Sequence, residues 1–355
     1  MKIPMKVIPG YYNSKPGIQV GTKMEGPITY DSKGNIKLDM EGVQFLQQIG
    51  VEWLIIVEKQ VPEHSAACYR EIVGALGEHG LKVYRLWNAS VHNMPEVTLG
   101  LDGRDRKIEQ YLKYIADLGE AGIYYTTYAH MADDVWSSNV RKPVRGGAIA
   151  RAFDPETIAD SHGGGKYTLE MGNGRIYHEE EIWENYEYFI NQVKPAAESA
   201  GVFIGIHPDD PPMCTLSGVP RCIFSTFEGY KRAIEIADSP NIGTCLCVGC
   251  WLEGGEKIGC APEDFIRYFG KQNKLFKIHM RNVTAPLWAS GGFCETFPDA
   301  GYYDMGRAFK ALDEVGYDGV VMNDHLIDMI GGHYACEAYF TAYLKGMADL
   351  VNLKI

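Results

Sequence analysis

His207, Cys247, His279 and Asp324 offer two imidazoles, a thiolate and a carboxylate, and each stands directly after a short apolar run. The runs cover residues 202–206, 242–246, 275–278 and 319–323. If they are successive parallel strands of one barrel, their carboxyl ends converge and the four side chains can meet around one ion. That donor set suits a borderline divalent metal. A histidine taken alone is more often a hydrogen-bonded core residue, but chance would scatter such residues along the strands instead of leaving all four at the ends. The pattern predicts a metal enzyme. Cys245, Cys247 and Cys250 suggest a different arrangement, a structural zinc corner. Alternation opposes it: in a strand Cys245 and Cys247 share a face, Cys250 falls in the next turn, and no second cysteine pair has zinc-ribbon spacing. Cys247 is therefore the expected ligand, with Cys245 one layer below.

Such convergence needs a closed sheet. Earlier β-rich runs at residues 6–9, 52–57, 82–87 and 122–128 bring the candidate strands to eight. Amphipathic stretches alternate with them at 103–120, 180–200, 227–237, 262–269, 305–315 and 334–350. In the first of these, Ile108, Tyr111, Leu112, Ile115 and Leu118 fall on one helical face. Strand–helix alternation of this kind predicts an α/β fold, a (β/α)8 TIM barrel formed as one domain over residues 1–355. One interval, residues 131–177, lacks periodicity and is rich in glycine. It follows the fourth strand, which makes it either an insertion or a lid over the catalytic face. His162-Gly163-Gly164-Gly165-Lys166 within it lacks the spacing and the hydroxyl residue of a phosphate loop.

A net charge of −12 with no basic run argues against nucleic acid as the main partner. A metal and a few arginines can still reverse the local field for an anionic substrate. The amino terminus lacks the apolar stretch of a signal peptide, and no run approaches a membrane span. These features predict a cytoplasmic protein, without a membrane partner, that acts on a small molecule as a monomer or homo-oligomer. Nine cysteines without a disulfide-framework spacing are expected to be thiols, with Cys68, Cys222, Cys260 and Cys336 as small core residues.

Several strings carry a more specific likeness. They are His207-Pro208-Asp209-Asp210-Pro211-Pro212, then Gly218-Val219-Pro220-Arg221 with Ser225-Thr226 and Glu228. Leu246-Cys247-Val248-Gly249, His279-Met280-Arg281-Asn282, Asp304-Met305 and Asp324-His325 follow. Through these the chain resembles the mannonate dehydratases, of the xylose-isomerase-like TIM-barrel group. Weaker likeness covers residues 100–122 and Ala152-Phe153-Asp154.

The resemblance implies a divalent metal at His207, Cys247, His279 and Asp324: manganese first, with iron, cobalt or zinc as other ions the donors accept. It also implies an acid/base pair at His325 and Tyr334, of unassigned order, and the removal of water from a sugar acid to give a 2-keto-3-deoxy acid. Such a reaction needs a base for the α proton, an acid for the departing hydroxyl and a cation to stabilise the enediolate. His92 matches the family, and Asn282 lies within a matching string on the substrate side. Arg281 has two readings, a clamp on a substrate carboxylate or an ion pair at the barrel rim.

The chain departs from the family around the substrate. After the fourth strand it carries Tyr128-Ala129-His130-Met131-Ala132 and Val135-Trp136-Ser137-Ser138 where the family has an amide, an acid and a guanidinium. Trp87 replaces a glutamate, and Pro298 and Gly301-Tyr302 replace a histidine and a Gly-Asp pair. The added Trp87, His130 and Trp136 suit a different or bulkier sugar, because aromatic faces stack on sugar rings. A metal-dependent isomerase or epimerase is the alternative activity, and a non-catalytic sugar-binding barrel a third.

Overall fold

The computed structural model describes residues 2–23, 27–32, 34–157 and 168–352, so the glycine-rich string at 162–166 lies outside the described residues. Eight parallel strands form the central sheet: β1 (Gln19–Thr22), β2 (Trp53–Ile56), β3 (Lys82–Leu86), β4 (Tyr125–Tyr128), β5 (Phe203–Ile206), β6 (Ile242–Cys247), β7 (Leu275–His279) and β8 (Val320–Met322). Backbone ladders run in the order β3-β2-β1-β8-β7-β6-β5-β4. The β3–β4 seam is closed by side chains instead. Tyr114 Oη reaches Leu86 O at 2.5 Å and Thr126 Oγ1 at 2.8 Å, and Arg85 Nη2 lies 3.4 Å from Thr127 O. The result is a (β/α)8 barrel.

Each strand is followed by a helix: α1 (Met40–Gln48), α2 (Ala66–Gly77), α3 (Arg104–Glu120), α4 (Glu179–Ala200), α5 (Phe227–Ala237), α6 (Pro262–Lys271), α7 (Met305–Glu314) and α8 (Gly332–Asn352). Local chemistry starts them. Asp39, Ser65, Thr226 and Asp304 cap helix amino termini with side-chain oxygens, and Pro262 opens α6 where a missing N–H costs nothing. On α3, Ile108, Tyr111, Ile115 and Leu118 are buried, while Leu112 is half-buried at the edge of the face. No helix among the described residues is long and apolar enough to cross a membrane.

Two sequence expectations change. The first barrel strand is Gln19–Thr22, and residues 6–9 are irregular. Pro9-Gly10 turns the chain before a strand can extend, and Met5, Ile8 and Tyr11 instead plug the amino-terminal end of the barrel against Trp53, Tyr84, Tyr125 and Phe276. Asp318, ahead of β8, anchors the plug by accepting from the backbone N–H of Lys6 at 2.8 Å and Val7 at 3.1 Å.

The interval after β4 is not wholly aperiodic. Asn139–Pro143 and Ile149–Phe153 form an antiparallel hairpin, which joins Phe293–Thr296 and Asn282–Val283 from the β7–α7 connection in a four-stranded sheet. These strands are short, and one face carries Arg151 between Ile149 and Phe153, which masked the alternation. A further backbone pair, Ile149 with Asp328, ties the hairpin to the segment after β8. The accessory sheet therefore sits at the carboxyl ends of the barrel strands.

The plug yields a stability prediction. Tyr11 Oη donates to Tyr84 O at 2.7 Å and accepts from Tyr124 N at 2.8 Å. Tyr11→Phe leaves both backbone groups without that partner and should cost about 1–3 kcal/mol in urea unfolding. Metal binding at the far end of the barrel should be unchanged.

Candidate metal centre

β5, β6, β7 and β8 deliver His207, Cys247, His279 and Asp324 to one point: a ligand atom from each lies within 4.8 Å of all the others. All four residues are buried. His207 Nδ1 is 2.7 Å from Pro208 O, which fixes a proton on that nitrogen and turns the Nε2 lone pair inward. Nε2 lies 3.2 Å from His279 Nδ1, which is 3.4 Å from Asp324 Oδ1. Cys247 Sγ lies 3.7 Å from Asp324 Oδ2 and accepts from Cys250 N at 3.5 Å. Cys245 sits below, its Sγ 3.9 Å from His279 Nε2.

The electrostatics suit a cation. Burial raises the Cys247 thiol, but the bond from Cys250, the Arg281 guanidinium and the two imidazoles outweigh it and hold the thiol well below its usual range. Burial likewise works against the Asp324 carboxylate, and His279, His325 and Lys23 hold it well below the ordinary value. His279 moves the other way: burial lowers it, yet Asp324 brings it up to about 10. A thiolate, a carboxylate and two imidazoles in one buried spot can hold a divalent ion if a proton leaves.

Beside the cluster lies a network that the sequence did not disclose. Arg281 Nη2 reaches Asp210 Oδ2 at 2.9 Å, and Nη1 reaches Glu253 Oε1 at 2.7 Å and Glu295 Oε1 at 2.5 Å. Arg151 Nη2 reaches Asp210 Oδ1 at 2.6 Å, and its Nε reaches Glu295 Oε1 at 2.7 Å. Arg281 Nη2 also lies 3.4 Å from Cys247 Sγ and 3.1 Å from Cys250 Sγ. A Cβ on Gly249 would sit 2.6 Å from Arg281 Nε, so only glycine leaves the guanidinium room. Asp210, Cys250 and Glu253 also have metal-ligand proximity, but the two guanidinium groups already occupy that space. Burial and neighbouring Asp210 push the Glu253 carboxyl well up, whereas the neighbouring cations outweigh burial and hold Asp210 and Glu295 low.

The remaining expected residues divide. His325 lies at the site: Nδ1 is 2.7 Å from Glu295 Oε1 and Nε2 is 3.8 Å from Asp324 Oδ2. His92 lines the same cavity, with Nδ1 3.1 Å from Thr127 O. Tyr334 is not brought there; its ring packs on Phe45 of α1 at 4.6 Å, and His333 lines the outer vestibule instead. Arg281 is fully buried among carboxylates and sulfur, the ion-pair role and not the substrate clamp. Asn282 Nδ2 staples the β7–α7 connection by donating to Pro298 O and Tyr303 O at 3.0 and 2.8 Å. His130 faces the core, Nδ1 on Tyr128 Oη at 2.7 Å and its ring against Tyr186 and Phe224. Trp136 is buried under the accessory sheet, its carbonyl accepting from Arg151 at 2.6 Å.

Residues missed in the sequence line the cavity. Lys23, Arg85, Thr127, Lys277 and Asp134, together with the expected Trp87, surround a space of ≈ 120 Å³ at the ligand cluster. It opens past Trp87, Asp324 and His325 into a vestibule of ≈ 970 Å³ walled by Ile149, Ala150, Arg151 and Glu295. Burial lowers the Lys277 ammonium to about 7, Cys245 opposing and Arg85 assisting the shift. A signal existed: Lys277 lies two residues before His279 and so shares its inward face, as a charge inside an otherwise apolar strand. Glu295 and Arg151 gave none, because their strands were not recognised.

Comparison with known proteins agrees with this geometry. The model of the family described as D-mannonate dehydratase (UxuA) matches residues 39–167 and 165–354. The mannonate dehydratase of Streptococcus equi subsp. zooepidemicus is 32% identical over 265 residues, 69% of this chain and 70% of that protein. That of Thermotoga maritima is 28% identical over 323 residues, 81% and 86% of the two chains. The crystal structure of mannonate dehydratase from Streptococcus suis serotype 2 superposes with a TM-score of 0.79 at 25% identity, covering 96% of this chain and 95% of that one. A D-psicose 3-epimerase from Clostridium cellulolyticum, 12% identical with a TM-score of 0.56 over 95% and 98% of the chains, shares the fold.

The raised His279 sets the pH dependence of metal loading. Its folded, metal-free imidazole keeps a proton up to about 10, and His207 is raised too, because Cys247 outweighs burial there, so metal must displace at least one proton throughout the neutral range. Affinity should rise by at least about tenfold per pH unit and keep rising above about pH 7, where an ordinary imidazole would level off. Metal titrations at several pH values check this, and a plateau near neutrality would contradict it.

Proposed function

The chain belongs to the D-mannonate dehydratase family, and on that premise we propose that it is a metal-dependent hydro-lyase removing water from a mannonate-type sugar acid. The observation that carries this reading is the meeting of His207, Cys247, His279 and Asp324 within 4.8 Å at the carboxyl ends of β5 to β8. These four would hold the ion, with manganese the expected choice. When bound, it supplies the Lewis acidity that makes a hydrogen beside a carboxylate removable.

His325 is the residue that would move protons. It lines both the inner cavity and the vestibule, and one ring nitrogen is engaged by Glu295. Burial opposes the Glu295 charge, but His325, Arg151 and Arg281 hold that carboxylate well below its usual range. A permanently charged partner on Nδ1 orients the ring and leaves Nε2 to exchange a proton with substrate. Glu295 is thus a positioning residue. Tyr334 completes the pair expected from the family only if the head of α8 moves over the vestibule.

The accessory hairpin lines the vestibule, and on this reading it would exclude water while substrate is bound. His92 remains on the substrate side, joined by Trp87. Free thiols at all nine cysteines suit a reducing cytoplasm.

Mass spectrometry of manganese-loaded enzyme incubated with D-mannonate tests the reaction: a product lighter by one water supports it, and a product of unchanged mass points to isomerisation. His325→Asn should keep its metal and lose about 10²–10⁴-fold in turnover, the range for a removed general acid or base. Glu295→Gln should lower turnover while leaving metal content intact. Tyr334→Phe separates two cases: an equal loss means the tyrosine swings in, and a native rate leaves the proton transfers to His325.

A further inference from the structure

The inner cavity extends below the metal cluster into the barrel, where Arg85 of β3 and Lys277 of β7 face it. Both are more than nine-tenths buried. Neither has a carboxylate partner among the described residues. Arg85 Nη2 lies 3.2 Å from His92 Nδ1 and 3.4 Å from Thr127 O, while its Nε is buried with no hydrogen-bond partner. No hydrogen bond or ion pair of the Lys277 ammonium is found among the described residues.

The three carboxylates lining the cavity are all engaged elsewhere. Asp134 accepts from Asn93 at 2.7 Å, Asp210 is held by Arg151 and Arg281, and Asp324 faces His279 and Lys23. Among the described residues the Cys245 thiol is a further acidic group near Lys277; burial raises it, but His279 and Lys277 bring it down to about 6, and it lies 3.9 Å from His279 Nε2 with no hydrogen bond to Lys277. A buried guanidinium and a buried amine with no carboxylate beside them are costly to keep charged, and a ligand that brings negative charge completes them. Arg85 and Lys277 stand on strands from opposite sides of the barrel and line the same cavity, so an anion held there meets charge from both sides.

We propose that Arg85 and Lys277 form the carboxylate-recognition pocket of the substrate site and make the enzyme selective for aldonic acids over neutral sugars. The identification of that anion as a sugar carboxylate rests on the dehydratase reading; the pocket itself rests on the unpartnered cations. Lys23, 3.5 Å from Asp324, stands at the entrance and adds charge without being part of the pocket. Planar guanidinium suits bidentate contact with a carboxylate, and the ammonium supplies a point charge beside it.

The test compares D-mannonate with D-mannitol, which replaces the carboxylate by a neutral hydroxymethyl group. Calorimetry would use manganese-loaded His325→Asn protein to limit turnover during titration. The host should bind the acid more tightly than the alditol. Adding Lys277→Met or Arg85→Met should narrow that preference by at least about tenfold with metal content and mannitol affinity unchanged, because each removes a charge-assisted contact. Lys277→Arg keeps the charge and should retain most of the preference, which separates recognition from a packing defect. An unchanged preference in both methionine variants overturns the inference, as does a host that does not distinguish acid from alditol. Acid selectivity that depends on Lys277 without water loss from any aldonate would leave the pocket standing and refute the dehydratase reading. Water loss with an unaltered preference in the variants would do the reverse.

Discussion

Two guanidinium groups buried among three carboxyl groups hold the working end of this barrel together. Arg281 alone links Asp210 after β5, Cys247 on β6, Glu253 on the short helix Val248–Gly254, and Glu295 on the accessory sheet. Charges out of water are tolerated only when paired with good geometry, and removing one partner from such a group typically costs about 3–5 kcal/mol. The network therefore fixes the accessory sheet to the carboxyl ends of the barrel strands, two sheets that share no backbone ladder. It also bears on the electrostatics of the ligand cluster, since against burial the bond from Cys250 and the guanidinium that pairs with Glu295 help hold the Cys247 thiol well below its usual range. The same Glu295 oxygen holds His325, so the ligand cluster and the histidine proposed for proton transfer share one support.

The barrel interior is layered by function. At the amino-terminal end, Met5, Ile8 and Tyr11 seal the strands with an aromatic cluster that excludes water. The middle layer carries Arg85, Thr127, Cys245 and Lys277, polar groups that an ordinary packed barrel core would not keep. At the carboxyl-terminal end lie the four ligand-type residues. Because side chains on a strand alternate, placing His279 inward places Lys277 inward too, and likewise Cys247 and Cys245. One decision about strand register thus builds both the ion site and the charged floor beneath it.

Much of this was legible along the chain. The apolar runs ending in His207, Cys247, His279 and Asp324 gave four barrel strands, and helices such as Phe227–Ala237 and Met305–Glu314 appeared close to their observed bounds. Local rules were enough there, because hydrophobic period and capping residues act over a few positions. The first strand was misplaced, since Ile8 in a non-strand plug looks as apolar as Val20 in a real strand. The hairpin at Asn139–Pro143 and Ile149–Phe153 escaped because its inward face carries Arg151, whose carboxylate partners Asp210 and Glu295 are 59 and 144 residues away.

By itself, the sequence determined the donor types, their places at strand ends and hence the barrel that could bring them together, since backbone geometry leaves few ways to position such a pattern. Tertiary structure alone decided which neighbouring charges each functional group meets. Arg281 became an ion-pair hub instead of a substrate clamp because Asp210, Glu253 and Glu295 arrive from three separate segments. Tyr334 came to rest on Phe45 because the helix that begins at Gly332 packs there, and His325 gained a carboxylate partner from a strand that no local pattern disclosed. Side-chain chemistry is written residue by residue, but the electric field at a site is a sum over segments distant in sequence, and only the fold places them within reach.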